Sequence, residues 1–216
     1  MKTVITITRP IGCGGAYIGQ RLAGQLGFRY LDRAILERAA QELGLAQVEV
    51  AAREEKVSSV WDRLKELLAL GPTDGLFTPP PPQAAPDEYI HAKECMIMTT
   101  VADASDCVIV GRGASAIFHD CDGACHIFLH APMDFRIPRV MHDYRAKTEK
   151  EARHMIVRSD RERAQFMIRV RGMDWSKLDN YHLCIDTSRA PLNDIAALIA
   201  GYVHSWRHRE AVSVPA

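Results

Sequence analysis

The stretch TVITITRPIGCGGA, residues 3–16, decides the fold because it joins a strand pattern directly to a glycine-rich turn and then to a helix. Residues 3–8 are rich in β-branched side chains, which favour a strand. Residues 14–26 carry apolar side chains at helical spacing. Three of the four residues at 12–15 are glycine, so backbone N–H groups can converge at the positive end of the helix. A plain turn needs fewer glycines, and the pattern therefore favours a phosphate-binding turn.

Strand and helix patterns alternate along the rest of the chain. Further strands are predicted at residues 28–31, 107–110, 125–130 and 182–186. Further helices are predicted at residues 33–43, 47–56, 58–70, 87–104, 113–118, 133–144, 148–170 and from 192 to about 206. Such alternation is typical of an α/β domain with a mainly parallel sheet covered on both faces. Ligands of such sheets bind at the carboxyl ends of the strands, which is where the glycine-rich turn lies.

The composition bounds the class of protein. The chain has 216 residues, enough for one compact domain, and its 27 basic side chains balance its 27 acidic ones. This balance argues against a protein whose main task is to coat nucleic acid or an anionic membrane. No apolar run of the sequence is long enough to span a bilayer, and the N-terminus has no signal-peptide core. We therefore expect a cytoplasmic protein with reduced cysteines.

Residues 71–87 interrupt the alternation, since they hold six of the eleven prolines, four of them consecutive at 79–82. Consecutive prolines cannot donate hydrogen bonds to a helix or a sheet, and they favour polyproline II. This segment is predicted to be a surface loop or stiff linker. The alternative is a ligand for a proline-recognition domain, which would make the chain an interaction module.

The glycine-rich turn departs from the standard phosphate loop, in which a Gly is followed after four residues by Gly-Lys and Ser or Thr. Aligned with that pattern, Arg9 replaces the first Gly and Gly14 matches the second. Gly15 replaces the Lys, and Ala16 replaces the Ser or Thr. The two side chains that normally contact the terminal phosphates and Mg²⁺ are therefore missing. Either the chain is a nucleotide-binding regulatory or sensing module with little or no turnover, or another cation, Arg9 or a later arginine, compensates.

Arginine is concentrated between residues 136 and 171, where nine arginines and two lysines outnumber five acidic residues. Planar guanidinium groups bind phosphate oxygens in pairs, and phosphoryl transfer needs cationic stabilisation of the moving group. We predict that Arg158 and Arg163 are phosphate clamps and that Asp160 orients an arginine. The alternative is a solvated helix with intrahelical ion pairs, for which Arg158 and Glu162 have the right spacing.

The segments TITR of residues 6–9 and GCGG of residues 12–15 resemble the opening of the cytidylate kinase-like branch of the P-loop nucleoside monophosphate kinases. In that branch an Ile-Ser-Arg strand end leads into a Gly-Ser-Gly-Gly loop. Further segments follow in family order at residues 30–36 (YLDRAIL), 107–114 (CVIVGRGA), 126–139, 159–163 (SDRER) and 184–188 (CIDTS). Cys13 stands where Ser is usual, and Ala16 replaces a longer polar residue that is common in the branch.

The resemblance implies a three-layer P-loop kinase fold with five parallel strands, in a single domain at residues 1–210 before a loose tail at 211–216. It implies a core made of residues 1–32, 106–140 and 173–210, a lobe for the nucleoside monophosphate at 33–105, and a lid at 140–172. ATP with Mg²⁺ is the expected donor, and CMP or dCMP the expected acceptor. UMP and a small non-nucleotide acceptor are the alternatives.

The predicted site residues fall into four groups. ATP phosphates are expected at Gly12, Cys13, Gly14, Gly15 and Ala16, and further lid and ATP contacts at Arg136, Arg139 and Arg161. The catalytic set is Arg9, Arg158, Asp160 and Arg163, and the acceptor contacts are Asp32, Arg33 and Arg112. Arg112 has a structural ion pair as its alternative role, and Asp32 has a helix cap. No metal ligand is assigned, although Asp186 or Asp32 could reach Mg²⁺ through water.

Overall fold

The computed structural model describes residues 2–39 and 88–212. The helices predicted at 47–56 and 58–70, and the proline-rich linker at 71–87, lie outside the described residues. So does most of the predicted monophosphate lobe at 33–105.

Five parallel strands form one sheet. They are β1 (Val4–Thr8), β2 (Arg29–Leu31), β3 (Cys107–Val110), β4 (Ala124–His130) and β5 (Leu183–Asp186), in the order β2-β3-β1-β4-β5. β1 is the central strand, with Ile7 opposite both Val110 of β3 and Ile127 of β4. Every residue of β1 and β3 is buried, as expected for parallel strands covered on both faces. The predicted α/β class is confirmed.

Seven helices surround the sheet within the described part of the chain. They are α1 (Gly15–Leu26), α2 (33–39 as described), α3 (Glu88–Ala104), α4 (Ala114–Ile117), α5 (Met133–Tyr144), α6 (Glu149–Arg171) and α7 (Leu192–Val212). A 3₁₀ turn occupies Leu178–Asn180. The last helix is longer than its sequence pattern predicts, and it includes the first two residues of the predicted tail. No helix among the residues described is long and apolar enough to cross a membrane.

Two apolar layers fix the sheet between its helices. One layer joins β3 to α3 through side chains such as Ile97, Met98 and Ile109, and the other joins β1 to α1 and α7 through Ile18 and Leu22. Each such fully buried side chain contributes roughly 1.5–3 kcal/mol relative to an exposed one.

A third apolar cluster places the arginine-rich helix over the glycine turn, which we define as residues 9–16. Ile11 of the turn is buried against Ile137 and Val140 of α5 and Ile156 of α6. Because Ile11 is packed beneath both helices, the turn and the arginines of α5 and α6 lie on the same side of the molecule.

Candidate active site

A cavity of about 480 Å³ opens at the carboxyl ends of β1 and β2. Its walls are the whole glycine turn with Tyr17 of α1, Asp32 and Arg33 after β2, Arg139, Asp143 and Tyr144 of α5, Arg163 of α6 and Leu192 of α7. Segments that are far apart in the sequence therefore meet in one cleft.

The glycine turn has a backbone shape that side chains would block. Gly14 is the N-cap of α1 with φ of +73° and has no side chain to cap the helix. A Cβ at Gly14 would lie 2.6 Å from Leu192 Cδ1 and 2.8 Å from an Arg139 nitrogen, closer than nonbonded atoms approach. A Cβ at Gly12, which has φ of +85°, would lie 3.0 Å from the Cβ and the carbonyl oxygen of Arg136 in α5. The first N–H groups of α1 are therefore left without a side-chain acceptor at the cavity, as in anion-binding helix ends.

Arg136 connects the turn to α6. Its Nε donates to the Ile11 carbonyl at 2.7 Å, and its Nη2 donates to Asp160 Oδ2 at 2.6 Å. Asp160 Oδ1 lies 3.6 Å from Arg163 Nη1, too far for a hydrogen bond. Arg136 is buried and does not line the cavity, so its contacts hold Asp160, and with it Arg163, in place.

Arg163 is a cation whose charge is incompletely satisfied. Burial, followed by the charge of the neighbouring Arg9, lowers the pKa of Arg163 to about 10, although Asp160 opposes this shift. Its Nη1 has no hydrogen-bond partner among the described residues. A phosphate in the cavity would supply both the negative charge and the acceptor oxygens.

Arg9 extends across the turn toward the end of β3. Burial lowers its pKa, and the nearby Tyr30, Tyr144 and Asp32 act in the opposite direction. Burial also raises the pKa of the Cys13 thiol to about 11, so this loop residue is a neutral thiol at physiological pH.

Arg158 and Arg161, like the buried Arg136, are predicted phosphate contacts that lie outside the cavity. Arg158 is exposed and its Nε donates to Glu162 at 2.7 Å, which is the intrahelical ion pair that the sequence offered as its alternative. Arg161 is exposed as well. Arg163 lines the cavity, and Asp160, on the same helix face, lies 3.6 Å from it without lining the cavity itself.

The predicted acceptor residues divide in the same way. Arg112 does not line the cavity; its guanidinium binds the Glu94 carboxylate, with Nε at 2.9 Å, and both side chains are buried. Arg33 lines the cavity and pairs with Glu37 at 2.6 Å. Asp32 accepts from the Ile35 amide at 3.1 Å and so caps α2, which is its alternative role, and it also lines the cavity.

The described residues contain no group of three or more His, Cys, Asp or Glu side chains that could hold a metal ion. Asp186 binds Ser188 and Arg189 and does not line the cavity, whereas Asp32 does. Mg²⁺ in phosphoryl-transfer sites uses one or two carboxylates plus phosphate oxygens and water. Asp32 fits that requirement when phosphates are present.

Two residues of this region were missed by sequence reasoning. Tyr144 lines the cavity, and burial raises the pKa of its hydroxyl while Arg9 and Arg163 oppose that shift. Tyr144 lies about 80° around the helix from Arg136, so helical spacing does not group the two residues. Glu94 lies in a helix pattern with nothing to mark it as the partner of Arg112.

Comparisons with known proteins give the family. The model of the cytidylate kinase-like family matches residues 4–189. No curated protein matches the chain. An uncharacterised protein from Eubacterium ventriosum has a similar structure, with a TM-score of 0.69 at 19% identity, over 94% of this chain and 99% of that one.

Two named kinases share the fold at lower similarity. A gluconokinase from Sinorhizobium meliloti has a TM-score of 0.54 at 10% identity, over 98% of both chains. A shikimate kinase from Bacteroides thetaiotaomicron has a TM-score of 0.51 at 12% identity, over 94% of this chain and 98% of that one. These likenesses concern the fold, which is the P-loop kinase fold. With the family match spanning most of its length, the chain belongs to the cytidylate kinase-like family.

Proposed function

We propose that this protein is a phosphotransferase that moves the terminal phosphoryl group of ATP, with Mg²⁺, to a nucleoside monophosphate, CMP or dCMP. One observation carries the proposal: the open N-terminus of α1, Arg139, Arg163 and Arg9 all converge on a single cavity of about 480 Å³. A polyanion is the ligand that satisfies these groups together.

Each group has a separate task in this proposal. The N–H groups at the start of α1 bind the phosphates that stay on the donor, and Arg139, beside Gly14, adds a cation there. Arg163 stabilises the charge that spreads over the transferred group. Asp160 is a positioning residue, since it holds Arg163 near the cavity and is itself held by Arg136.

The acceptor would enter beside β2, where Asp32 and Arg33 line the cavity. A guanidinium there suits the phosphate of a nucleoside monophosphate. The choice of cytosine as the base rests on the family alone. Asp32 would hold Mg²⁺ through water, and that ion would neutralise charge on the donor phosphates.

The test is a coupled ADP-release assay with ATP, Mg²⁺ and CMP, dCMP, UMP, AMP or GMP in turn. We expect acceptor-dependent ADP formation, fastest with CMP or dCMP. Shikimate and gluconate belong in the same panel, because the chain shares its fold with kinases of those names. Turnover with a sugar acid and none with any nucleotide would overturn the acceptor class but retain the phosphotransferase.

A nucleotide sensor with no turnover is the second candidate, and the chemistry of positions 15 and 16 favours it. Gly15 and Ala16 bring neither an ammonium nor a hydroxyl to a cavity whose wall they form. Titration calorimetry with ATP separates the two candidates. Heat of binding without ADP release across the whole panel would select the sensor, and no heat at all would exclude both.

A further inference from the structure

The space beside Gly15, where a standard phosphate loop has its lysine, is filled by another side chain. A Cβ added to Gly15 would lie 2.7 Å from Arg9 Cγ and 3.1 Å from Arg9 Cδ. Carbon atoms that are not bonded prefer 3.5–4.0 Å. A lysine at position 15 and Arg9 on its present path therefore exclude each other.

A second glycine makes room for the other end of Arg9. Gly111, directly after β3, has φ of +78°, and a Cβ there would overlap Arg9 Nη1 and lie 3.1 Å from Arg9 Cζ. The guanidinium thus rests against bare backbone at the end of the neighbouring strand. Gly15 and Gly111 together form a slot that fits the stem and the head of one arginine.

The guanidinium of Arg9 has no hydrogen-bonding or ion-pair partner within residues 2–39 and 88–212. Arg9 is partly exposed at the cavity, and a cation there without a counter-charge from these residues favours an anion as its partner. The charge of Arg9 also contributes to the lowered pKa of the neighbouring Arg163, so an anion between the two would relieve both.

These contacts link the two departures from the standard loop, which are Arg9 in place of a glycine and Gly15 in place of the lysine. The standard pattern has glycine at the position of Arg9 and lysine at the position of Gly15. In this chain the order is reversed, with the long cationic side chain at position 9 and the glycine at position 15. We propose that Arg9 contacts the terminal phosphates of the bound nucleotide in the role of the absent lysine, and that the empty position 15 is the condition for this.

The proposal deepens the function proposed above and rests on it. Four variants test it: Arg9→Met, which keeps the stem and removes the charge; Gly15→Lys; the double variant Arg9→Gly with Gly15→Lys; and Arg153→Met as a control on the exposed side of α6. Binding of MgATP is measured by calorimetry, and the melting temperature is measured with and without MgATP.

We expect Arg9→Met to weaken MgATP binding about ten- to a hundredfold, the range for losing a charged hydrogen bond. Its melting temperature without nucleotide should not fall, because the lost guanidinium has no hydrogen bond to the described residues, while the stabilisation by MgATP should shrink. If Arg9 were purely structural, Arg9→Met would lower the melting temperature without nucleotide and leave the stabilisation by MgATP unchanged. Arg153→Met should match the wild type.

The exchange of arginine and glycine between positions 9 and 15 is tested by the double variant. Gly15→Lys alone should lose MgATP affinity, because its side chain displaces Arg9, and adding Arg9→Gly should recover at least part of that loss. Additive losses would overturn the exchange. If the wild type binds MgATP and Arg9→Met binds it equally well, this inference fails while the proposed function stands; if the wild type binds no nucleotide, the proposed function fails first.

Discussion

Arg112 and Arg163 both lie near the carboxyl edge of the sheet and both have a carboxylate nearby, yet their situations differ. Arg112 hydrogen-bonds a fully buried Glu94 and lies outside the cavity. Arg163 faces the cavity and stands 3.6 Å from Asp160, whose hydrogen bond goes to Arg136 instead. The first arginine is used by the fold, and the second is left available to a ligand.

The contrast shows what decides the role of a buried arginine. A carboxylate that hydrogen-bonds one guanidinium cannot fully satisfy a second, so the second keeps unmet donors and an unfavourable burial of charge. Residue type alone does not separate the two cases, since each is an arginine near an acid. Substitutions at Arg163 and at the Glu94–Arg112 pair can therefore separate a ligand-binding role from a structural one.

The largest expected effect is on Arg163. Arg163→Ala should lower kcat on the order of 10³-fold, the lower end of the range for an arginine that stabilises transferred phosphoryl charge. The free energy of unfolding should change little, because Nη1 of Arg163 makes no hydrogen bond in the described structure. The measurement is ADP release with saturating ATP, together with urea unfolding. Arg153→Ala, another arginine of α6, is the control, and an equal loss in both variants would contradict a specific role.

Replacing Glu94 should lower the stability and leave the activity of the folded protein intact, the reverse of the expectation for Arg163. Glu94→Gln leaves Arg112 buried without its counter-charge, and removing one partner of a buried pair costs about 3–5 kcal/mol of unfolding free energy. His91 adds to the effect, since its Nδ1 lies 3.8 Å from the Glu94 carboxylate and its contacts with Cys95 and then Glu94 raise its pKa to about 9. Urea unfolding measures the loss.

A rescue variant checks the assignment of Glu94. Glu94→Leu combined with Arg112→Met removes both charges and should recover much of the stability lost in Glu94→Gln. Affinity for MgATP in the folded fraction should be unchanged, because neither residue lines the cavity. A large loss of ATP affinity with normal stability would mean that Arg112 acts on the nucleotide.

His126 extends the comparison to a buried base that has no ion pair with a carboxylate in the part of the chain that the structure describes. It is 2% exposed, its ring stacks on that of His182 at 5.3 Å, and burial lowers its pKa to about 4. Because this lies below the ordinary value of 6.5, the unfolded chain takes up the proton first. The contribution of neutral His126 to the free energy of unfolding is therefore fully present above pH 6.5. At most about 3 kcal/mol of that free energy is lost as the pH falls from 6.5 to 4.

Urea unfolding between pH 7.5 and 4 measures this loss. His126→Gln should flatten the curve between pH 6.5 and 4 relative to the wild type, whatever it does to stability at neutral pH. An unchanged slope would show that other groups bind the protons.

The glycine turn and the sheet were predictable because local patterns determine them. Apolar runs such as residues 107–110 form parallel strands wherever both faces are covered, and the glycines of 12–15 permit the turn regardless of what lies farther away. The Asp160 and Arg163 pair was also predictable from helical spacing. Glu94 and Tyr144 were not, because their roles depend on partners that only the packing of α3 on β3 and of α5 on the turn brings near.

Arg158 is a residue whose predicted phosphate contact does not agree with its position on α6. It precedes Arg163 by five residues, which places it about 140° away around the helix, so the sequence cannot supply both to one cavity from a rigid α6. Arg158→Ala is expected to change kcat by about twofold or less, since an exposed ion pair to Glu162 is worth little. The ADP-release assay used for Arg163→Ala measures it. A loss as large as that of Arg163→Ala would mean that α6 rotates when nucleotide binds, and that the clamp predicted for Arg158 forms only then.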